Sequence, residues 1–307
     1  EKIILVFDCG ATNIRAVAMN QIGQILGMKS FANHTSPDPY YGGGQIWDVD
    51  LIWKKLMKAS HAVLSQIDKR NIIGVTVSTF GVDGAPMTSA GKLLYPVISW
   101  ACQRTKSIMD HIDKYISLEE IYQRTGVNAF SFNTINKIVW LKENRPEILD
   151  QMDHFVLMPS ILNHRLTGEF TTDKTMAGTT MMTDIHTAQF SKEIFQAIGI
   201  ENKFPEVISP GSSIGKVHRK AAEESGIPMH TPVISSGHDT QFAIFGSGAK
   251  EYEVVLSSGT WEILMARTTK IQTNTDFLTQ GVTIELDAIS GWYNPGIQWL
   301  GSGILER

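Results

Sequence analysis

The chain has 307 residues, enough for about two domains, with 42% hydrophobic and 19% charged side chains and a net charge of −4. It carries no long basic run and no apolar stretch of membrane-spanning length, which sets aside nucleic-acid-binding and transmembrane readings. Cys9 and Cys102 are too few and too far apart for a disulfide framework, and the first residues read as a strand rather than a secretory signal, so a reducing, cytoplasmic setting is expected.

Ile3-Ile4-Leu5-Val6-Phe7 is a continuous run of branched and aromatic residues and reads as a strand buried on both faces, ended by Asp8. Gly10 permits a tight turn and close approach of a ligand. Thr12 and Asn13 offer side-chain hydrogen bonds, and Arg15 offers a fixed cationic fork. Residues 16–19 resume the strand, 20–23 turn again, and 24–26 begin a third strand. The result is a β-meander with an acid and a polar hairpin at one tip. Such a tip suits a phosphate or a phosphate-bound metal ion; it equally suits an ordinary hairpin with a polar turn.

Residues 33–45 form a loop rich in Ser, Pro, Tyr and Gly. Its Gly42-Gly43-Gly44 follows a tyrosine pair rather than a buried strand, so it reads as a flexible surface loop. Asp48 or Asp50 caps a helix in which Trp53, Leu56, Met57, Val63, Leu64 and Ile67 make one apolar face. A strand over 72–78 ends in Thr79-Phe80-Gly81-Val82-Asp83-Gly84, completing a strand–helix–strand unit of α/β type. Asp83-Gly84 is also a common turn dipeptide, and Phe80 and Trp100 suit either stacking on a sugar ring or plain packing. Ser117-Leu118-Glu119-Glu120 is a capping box for a helix stopped by Gly126. Helices follow over 136–144, closed before Pro146, and over 160–166, ended by Gly168, with a short strand over 155–158 between them. A strand over 231–236 ends in Gly237-His238-Asp239-Thr240, and a helix starts at 241–245. A strand over 253–256 ends in Ser257-Ser258-Gly259-Thr260 and returns over 261–266, echoing the opening meander. From Trp299 the sequence reads as a helix with neither cap nor stop, leaving the expectation that more chain follows Arg307.

Three strands thus end in a small-residue turn bearing an acid: Asp8, Asp83 and Asp239. In open α/β sheets ligands collect at the carboxyl ends of strands. Phosphoryl transfer needs a phosphate cradle, a metal ion and a group that orients or deprotonates the nucleophile. The turns at 10–13 and 258–260 offer backbone N–H groups and hydroxyls, Arg15 adds charge, and Asp8 offers a hard oxygen ligand for Mg²⁺, directly or through water. Asp239 is the base candidate, and the positive end of the following helix is expected to keep it ionised. Read as a simple N-cap before Gln241, it would need no chemistry. No second histidine stands at ligand spacing from His238, which reads as a hydrogen-bond partner rather than a metal ligand.

Taken together, Asp8-x-Gly10-x-Thr12-Asn13-x-Arg15, Gly237-His238-Asp239-Thr240 and Ser258-Gly259-Thr260-Trp261 resemble the FGGY family of carbohydrate kinases in order and spacing. The segments beginning at Thr79, Ile98, Phe130, Asn163, Ser235 and Leu256 look most like family members that act on L-fuculose, with those acting on L-rhamnulose next. The resemblance implies an α/β, actin-like ATPase fold of two ribonuclease H-like domains, the second incomplete here: residues 1–246 holding the sugar, 247–307 beginning the nucleotide-binding domain. It implies transfer of the γ-phosphoryl group of ATP, with Mg²⁺, to O1 of L-fuculose. By motif, Asp239 is the general base and Asp8 organises the metal. Gly10, Ala11, Thr12, Asn13, Arg15, Gly259 and Thr260 meet phosphates. Gly81, Asp83, His238, Thr240 and Asn294 hold the sugar. Family members carry a Gly-rich adenosine-binding segment further into the second domain, and none is found before Arg307. The implied partner is a small-molecule ketose, with no nucleic acid, no membrane, and self-association left open. Three rivals stand beside this reading: a kinase of L-rhamnulose or another ketose, a non-catalytic sugar-responsive regulator, and an actin-like structural ATPase. A regulator would have no use for a base at Asp239.

Overall fold

The opening meander forms three strands, β1 (Ile3–Cys9), β2 (Asn13–Asn20) and β3 (Ile25–Ala32), paired antiparallel in sequence. Along β1 and β2 burial alternates residue by residue. Ile3, Leu5, Phe7, Cys9, Ile14, Ala16 and Ala18 are the buried set, while the opposite face is half-buried rather than sealed. Each large member of that set contributes about 1.5–3 kcal/mol through its burial. The computed structural model describes residues 1–258 and 261–301.

Asp48 is the cap of α1 (Val49–Leu64), its carboxylate accepting from Leu51 N at 2.9 Å, and Asp50 lies in the first turn. The helix lays Ile52, Trp53, Leu56, Ala59 and Val63 on the sheet. β4 (Ile72–Thr79) then pairs parallel with β1. Before it, the loop at 33–45 is less loose than its glycines suggest. A Cβ on Gly44 would strike Arg104, whose guanidinium forms a fully buried ion pair with Asp38 at 2.5 Å. Gly42 and Gly43 do face open space.

A second core fills the region between β4 and the later strands, built around α2 (Thr134–Asn144). Pro146 opens a further short helix, where its missing N–H costs nothing. Next, α3 (Met158–Thr167) ends at Gly168, whose φ of 84° is the left-handed cap expected of glycine. β5 (Ser213–Lys216) and β6 (Pro232–Ile234) complete the first sheet in the order β5-β6-β4-β1-β2-β3, with β6 parallel to β4. Beyond β6, Thr79 N donates to Gly237 O at 3.0 Å. That bond, with the parallel pairing of β1 and β4, brings the carboxyl ends of β1, β4 and β6 to one edge.

After α4 (Asp239–Gly246) a second, antiparallel sheet begins, made of β7 (Val254–Ser258), β8 (Trp261–Ala266), β9 (Thr283–Leu286) and β10 (Tyr293–Leu300) in the order β7-β8-β10-β9. The helix expected from Trp299 is corrected: Trp299 and Leu300 are strand residues opposite Glu262 and Trp261. Pro295 and Gly296 disfavour helix, and β8 and β9 supply partners on both sides of β10 that local sequence does not reveal. The sheet docks on the first unit through β9, where Ile284 N donates to Gly126 O at 2.8 Å. Among the described residues, no helix is long and apolar enough to cross a membrane.

Candidate functional site

The converging strand ends enclose a cavity of about 180 Å³. That is small beside the roughly 300–1,000 Å³ of drug-sized sites and suits a compact ligand. Ala11, Gly81, His238, Asp239 and Thr240 line it together, from three separate segments expected to share a site. Phe80, Trp100, Phe130, Phe132 and Trp261 give its walls five aromatic rings. Trp261 meets Trp100 edge-on at 6.3 Å and Phe132 at 5.6 Å, and Phe132 stacks on Phe130 at 5.1 Å. Phe80 both lines the cavity and stacks on Trp47 at 4.5 Å.

Asp239 is the first residue of α4 and not its cap: His238 stands at the cap, and Gln241 N donates to the His238 carbonyl. The Asp239 carboxylate instead accepts from Thr240 N at 2.7 Å and keeps 35% of its side-chain surface exposed. Burial pushes its carboxyl up from the ordinary value; nearby Asp8 adds to this, while His238 and Thr240 oppose it. A raised carboxylate is the stronger proton acceptor.

His238 sits between two acids. One ring nitrogen, Nδ1, lies 3.0 Å from Glu285 Oε2, and Nε2 lies 3.5 Å from Asp239 Oδ1. Burial alone would lower the imidazole, but Glu285 and then Asp239 outweigh it, and the net direction is up from 6.5. Its backbone N–H donates to Thr175 Oγ1 at 3.0 Å. Gly237 is required beside it, since a Cβ there would collide with Asp173 and Thr175. Gly81 is required opposite: a Cβ would lie 3.0 Å from His238 Nε2 and 3.1 Å from Thr179 Cγ2.

The neighbouring turn is strained. Val82 has φ of 61°, and Asp83 N donates back to Gly81 O at 2.8 Å, closing a three-residue turn of the rare kind. The peptides around Val82 are held from several sides: Val82 N donates to Thr179 Oγ1, and Val82 O accepts from Thr134 Oγ1 and Lys137 Nζ. Asp83 itself points away from the cavity. It is fully buried, pairs with Lys137, and accepts from Trp47 Nε1 at 2.6 Å and Trp100 N at 3.0 Å. Burial pushes its carboxyl up and the Lys137 ammonium down, each partner opposing the other's shift. Asn294 is also fully buried and off the cavity, donating to Gln241 Oε1. Asp83 and Asn294 thus stand one layer behind the lining rather than in it.

At the first hairpin, Asp8 faces Arg15 across β1 and β2, with Arg15 Nη1 2.8 Å from Asp8 Oδ2. Gly10 N donates to Asn13 O, and Asn33 ties the turn down by donating to Gly10 O and, through its backbone, to Thr12 O. Thr12 is exposed, and Gly10, Ala11 and Asn13 are half-buried, so the tip is open to a phosphate-sized group beside the cavity. Among the described residues no group of three or more metal-ligating side chains occurs. The half-buried Asp8 carboxylate nonetheless fits Mg²⁺, which keeps several waters and is held by one or two carboxylates plus substrate phosphates. Gly259 and Thr260 lie outside the described residues.

Glu285 and the aromatic pair Phe130 and Phe132 are site residues that sequence reasoning did not single out. Glu285 had a signal: it is an acid within Thr283-Ile284-Glu285-Leu286, a strand buried at every position, where a carboxylate needs a partner.

The N-terminal domain of the FGGY family of carbohydrate kinases matches residues 3–246. An L-fuculokinase of Salmonella typhi is 48% identical over 307 residues, covering 100% of this chain. This chain spans 65% of that relative's length. A rhamnulokinase of Yersinia pestis (strain Pestoides F) is 27% identical over 267 residues, 85% of this chain and 53% of its own. In structure, xylulose kinase from Rhodospirillum rubrum superposes with a TM-score of 0.88 at 16% identity, over 99% of this chain and 62% of that one. The fold is therefore the actin-like ATPase fold of sugar kinases. With the matched domain supplying the strand ends at Ala11, Gly81 and His238 that border the cavity, the chain belongs to the FGGY family of carbohydrate kinases.

Proposed function

We propose that this chain is the sugar-holding part of an ATP-dependent ketose kinase that phosphorylates L-fuculose at O1. The observation that carries the reading is the partly exposed Asp239 carboxylate, raised in basicity, on the wall of an aromatic-lined cavity that Ala11 of the phosphate hairpin also borders. Its relatedness to curated L-fuculokinases at 48% identity favours L-fuculose over L-rhamnulose. We read residues 1–246 as the sugar-binding domain and 247–307 as the start of the nucleotide-binding one, with the match over 3–246 as support. The setting we propose is cytoplasmic.

Asp239 takes the O1 proton as the sugar oxygen bonds to the γ-phosphorus and the bond to the ADP oxygen breaks. His238 and Thr240 orient the sugar beside it, and Gly81 leaves room for the sugar against the His238 ring. The aromatic walls exclude water, which competes for the phosphoryl group. Gly10, Ala11, Thr12 and Asn13 would meet phosphate oxygens, together with Gly259 and Thr260. Asp8 would hold Mg²⁺, with Arg15 released from it towards phosphate. Bound there, the ion neutralises phosphate charge. Asp83 and Asn294 act through Trp100 and Gln241 rather than by touching the sugar.

Two measurements test this. Ligand-observed NMR with L-fuculose, L-rhamnulose, D-ribulose, D-xylulose and glycerol should show contact with L-fuculose; preference for another ketose would refute the substrate. In the full-length protein, Asp239→Asn should lower kcat by at least about 100-fold with sugar affinity largely kept. Equal loss of both would assign Asp239 a structural role.

A further inference from the structure

Glu285 is an 8%-exposed acid on β9, in the second sheet, and it reaches the wall of a cavity built mainly by the first unit. Its Oε2 is the meeting point of two bonds: His238 Nδ1 at 3.0 Å and Gln241 Nε2 at 2.7 Å. Gln241 in turn accepts from Asn294 Nδ2. Accepting from Asn294 orients the Gln241 amide so that its Nε2 donates to Glu285, and an ionised carboxylate so engaged has only one role towards the imidazole, that of acceptor. The ring's Nδ1 must carry a proton to satisfy it.

We propose that Glu285 is a positioning residue: it fixes the His238 ring with Nδ1–H donated to its carboxylate and Nε2 directed to the cavity beside Asp239. It also holds the imidazolium there, so that Nε2–H is a charged donor to a sugar oxygen next to the one that Asp239 deprotonates. The last step rests on the sugar-kinase reading above; the pairing does not. The geometry favours this over simple packing on three counts. The ring stands so close opposite Gly81 that a Cβ there would lie 3.0 Å from Nε2, so a bulkier residue at 81 would press on it. His238 N is pinned by Thr175 Oγ1, so its backbone is fixed too. The charges facing the ring are carboxylates from three elements: Glu285 on β9, Asp239 on α4, and Asp173, itself held by Thr175 and Ser235. The nearest lysine in sequence to that group, Lys174, is turned to Ser290 at 3.4 Å. Glu285 and Asp239, each beside a ring nitrogen, raise the ring's proton affinity against the cost of burial.

The test is heteronuclear NMR of the protein with labelled histidine, the His238 signals assigned by loss in His238→Gln. In the wild type, above its titration, the neutral ring should be the Nδ1–H tautomer, set by the bond to Glu285; an Nε2–H tautomer overturns the proposal without any variant of Glu285. Glu285→Gln, nearly isosteric, should move the titration of His238 down by about one pH unit or more. An unmoved titration in a folded variant overturns the pairing. By calorimetry Glu285→Gln should weaken L-fuculose about tenfold or more, and unchanged affinity with a lowered titration overturns the positioning role. If the wild type binds no ketose at all, the sugar-kinase reading fails and with it the role of Nε2, while tautomer and titration still decide the pairing.

Discussion

Lys137→Met removes one half of the ion pair behind the cavity and leaves the other in place. Lys137 is 1% exposed and Asp83 fully buried, so neither charge has water to fall back on. Methionine keeps the length of the lysine stem, so the loss is electrostatic more than steric. Stripping one partner from a buried pair costs about 3–5 kcal/mol because the remaining charge stays desolvated. At about 2–4 °C per kcal/mol for large domains, the melting temperature should fall by roughly 6–20 °C. Urea unfolding followed by tryptophan fluorescence measures it, since Trp47 and Trp100 both donate to Asp83. The companion Asp83→Asn should show a pH signature. It leaves Lys137 buried without its anion, so the folded state binds its proton less tightly than the unfolded state. Stability then rises with pH between the two values, and the variant should lose less at pH 9 than at pH 7. A loss below about 1 kcal/mol for Lys137→Met, with no pH trend in Asp83→Asn, would refute the argument that this pair supports the Val82 turn.

Gly81→Ala should weaken sugar binding by about 1–3 kcal/mol, or about 5- to 150-fold, because its methyl meets a His238 ring that Glu285 holds in place; calorimetry with unchanged affinity would contradict it. Trp261→Ala removes edge contacts to Trp100 and Phe132 and should cost about 0.5–1.5 kcal/mol, or about 2- to 10-fold, in the same assay. The pH profile of kcat/KM in the full-length protein should be bell-shaped. Its acid limb reports Asp239, whose base form is lost as pH falls through a value above the ordinary 3.8. Its alkaline limb reports His238, whose imidazolium is lost as pH rises through a value above 6.5. A profile flat from pH 5 to 9 would exclude both roles.

Local sequence carried the strands and helices well because their signals are local. The apolar run after Lys2, the Asp48 cap, the Ser117 capping box and the glycines at 126 and 168 each act within a turn or two of their own position. The segments at Ala11, Gly81 and His238–Thr240 were also legible, since a strand end followed by small residues announces a ligand edge whatever the partner strands are. Where the reading failed, the deciding partner was distant. Residues 293–300 became strand because β8 and β9 flank them, not because of their own pattern.

The sequence by itself determined the family and the first sheet's strands other than β5, and it singled out Asp239 as the candidate base. Only the tertiary structure decided the charge environment of that acid. Asp83 and Asn294 look as suited to a sugar as Thr240 does, yet folding places them behind the cavity wall. Glu285 looks like one more strand residue, yet β9 carries it to His238 from 47 positions away. Burial and pairing set the proton affinity of a side chain, and both are sums over neighbours that the chain brings together only when it folds.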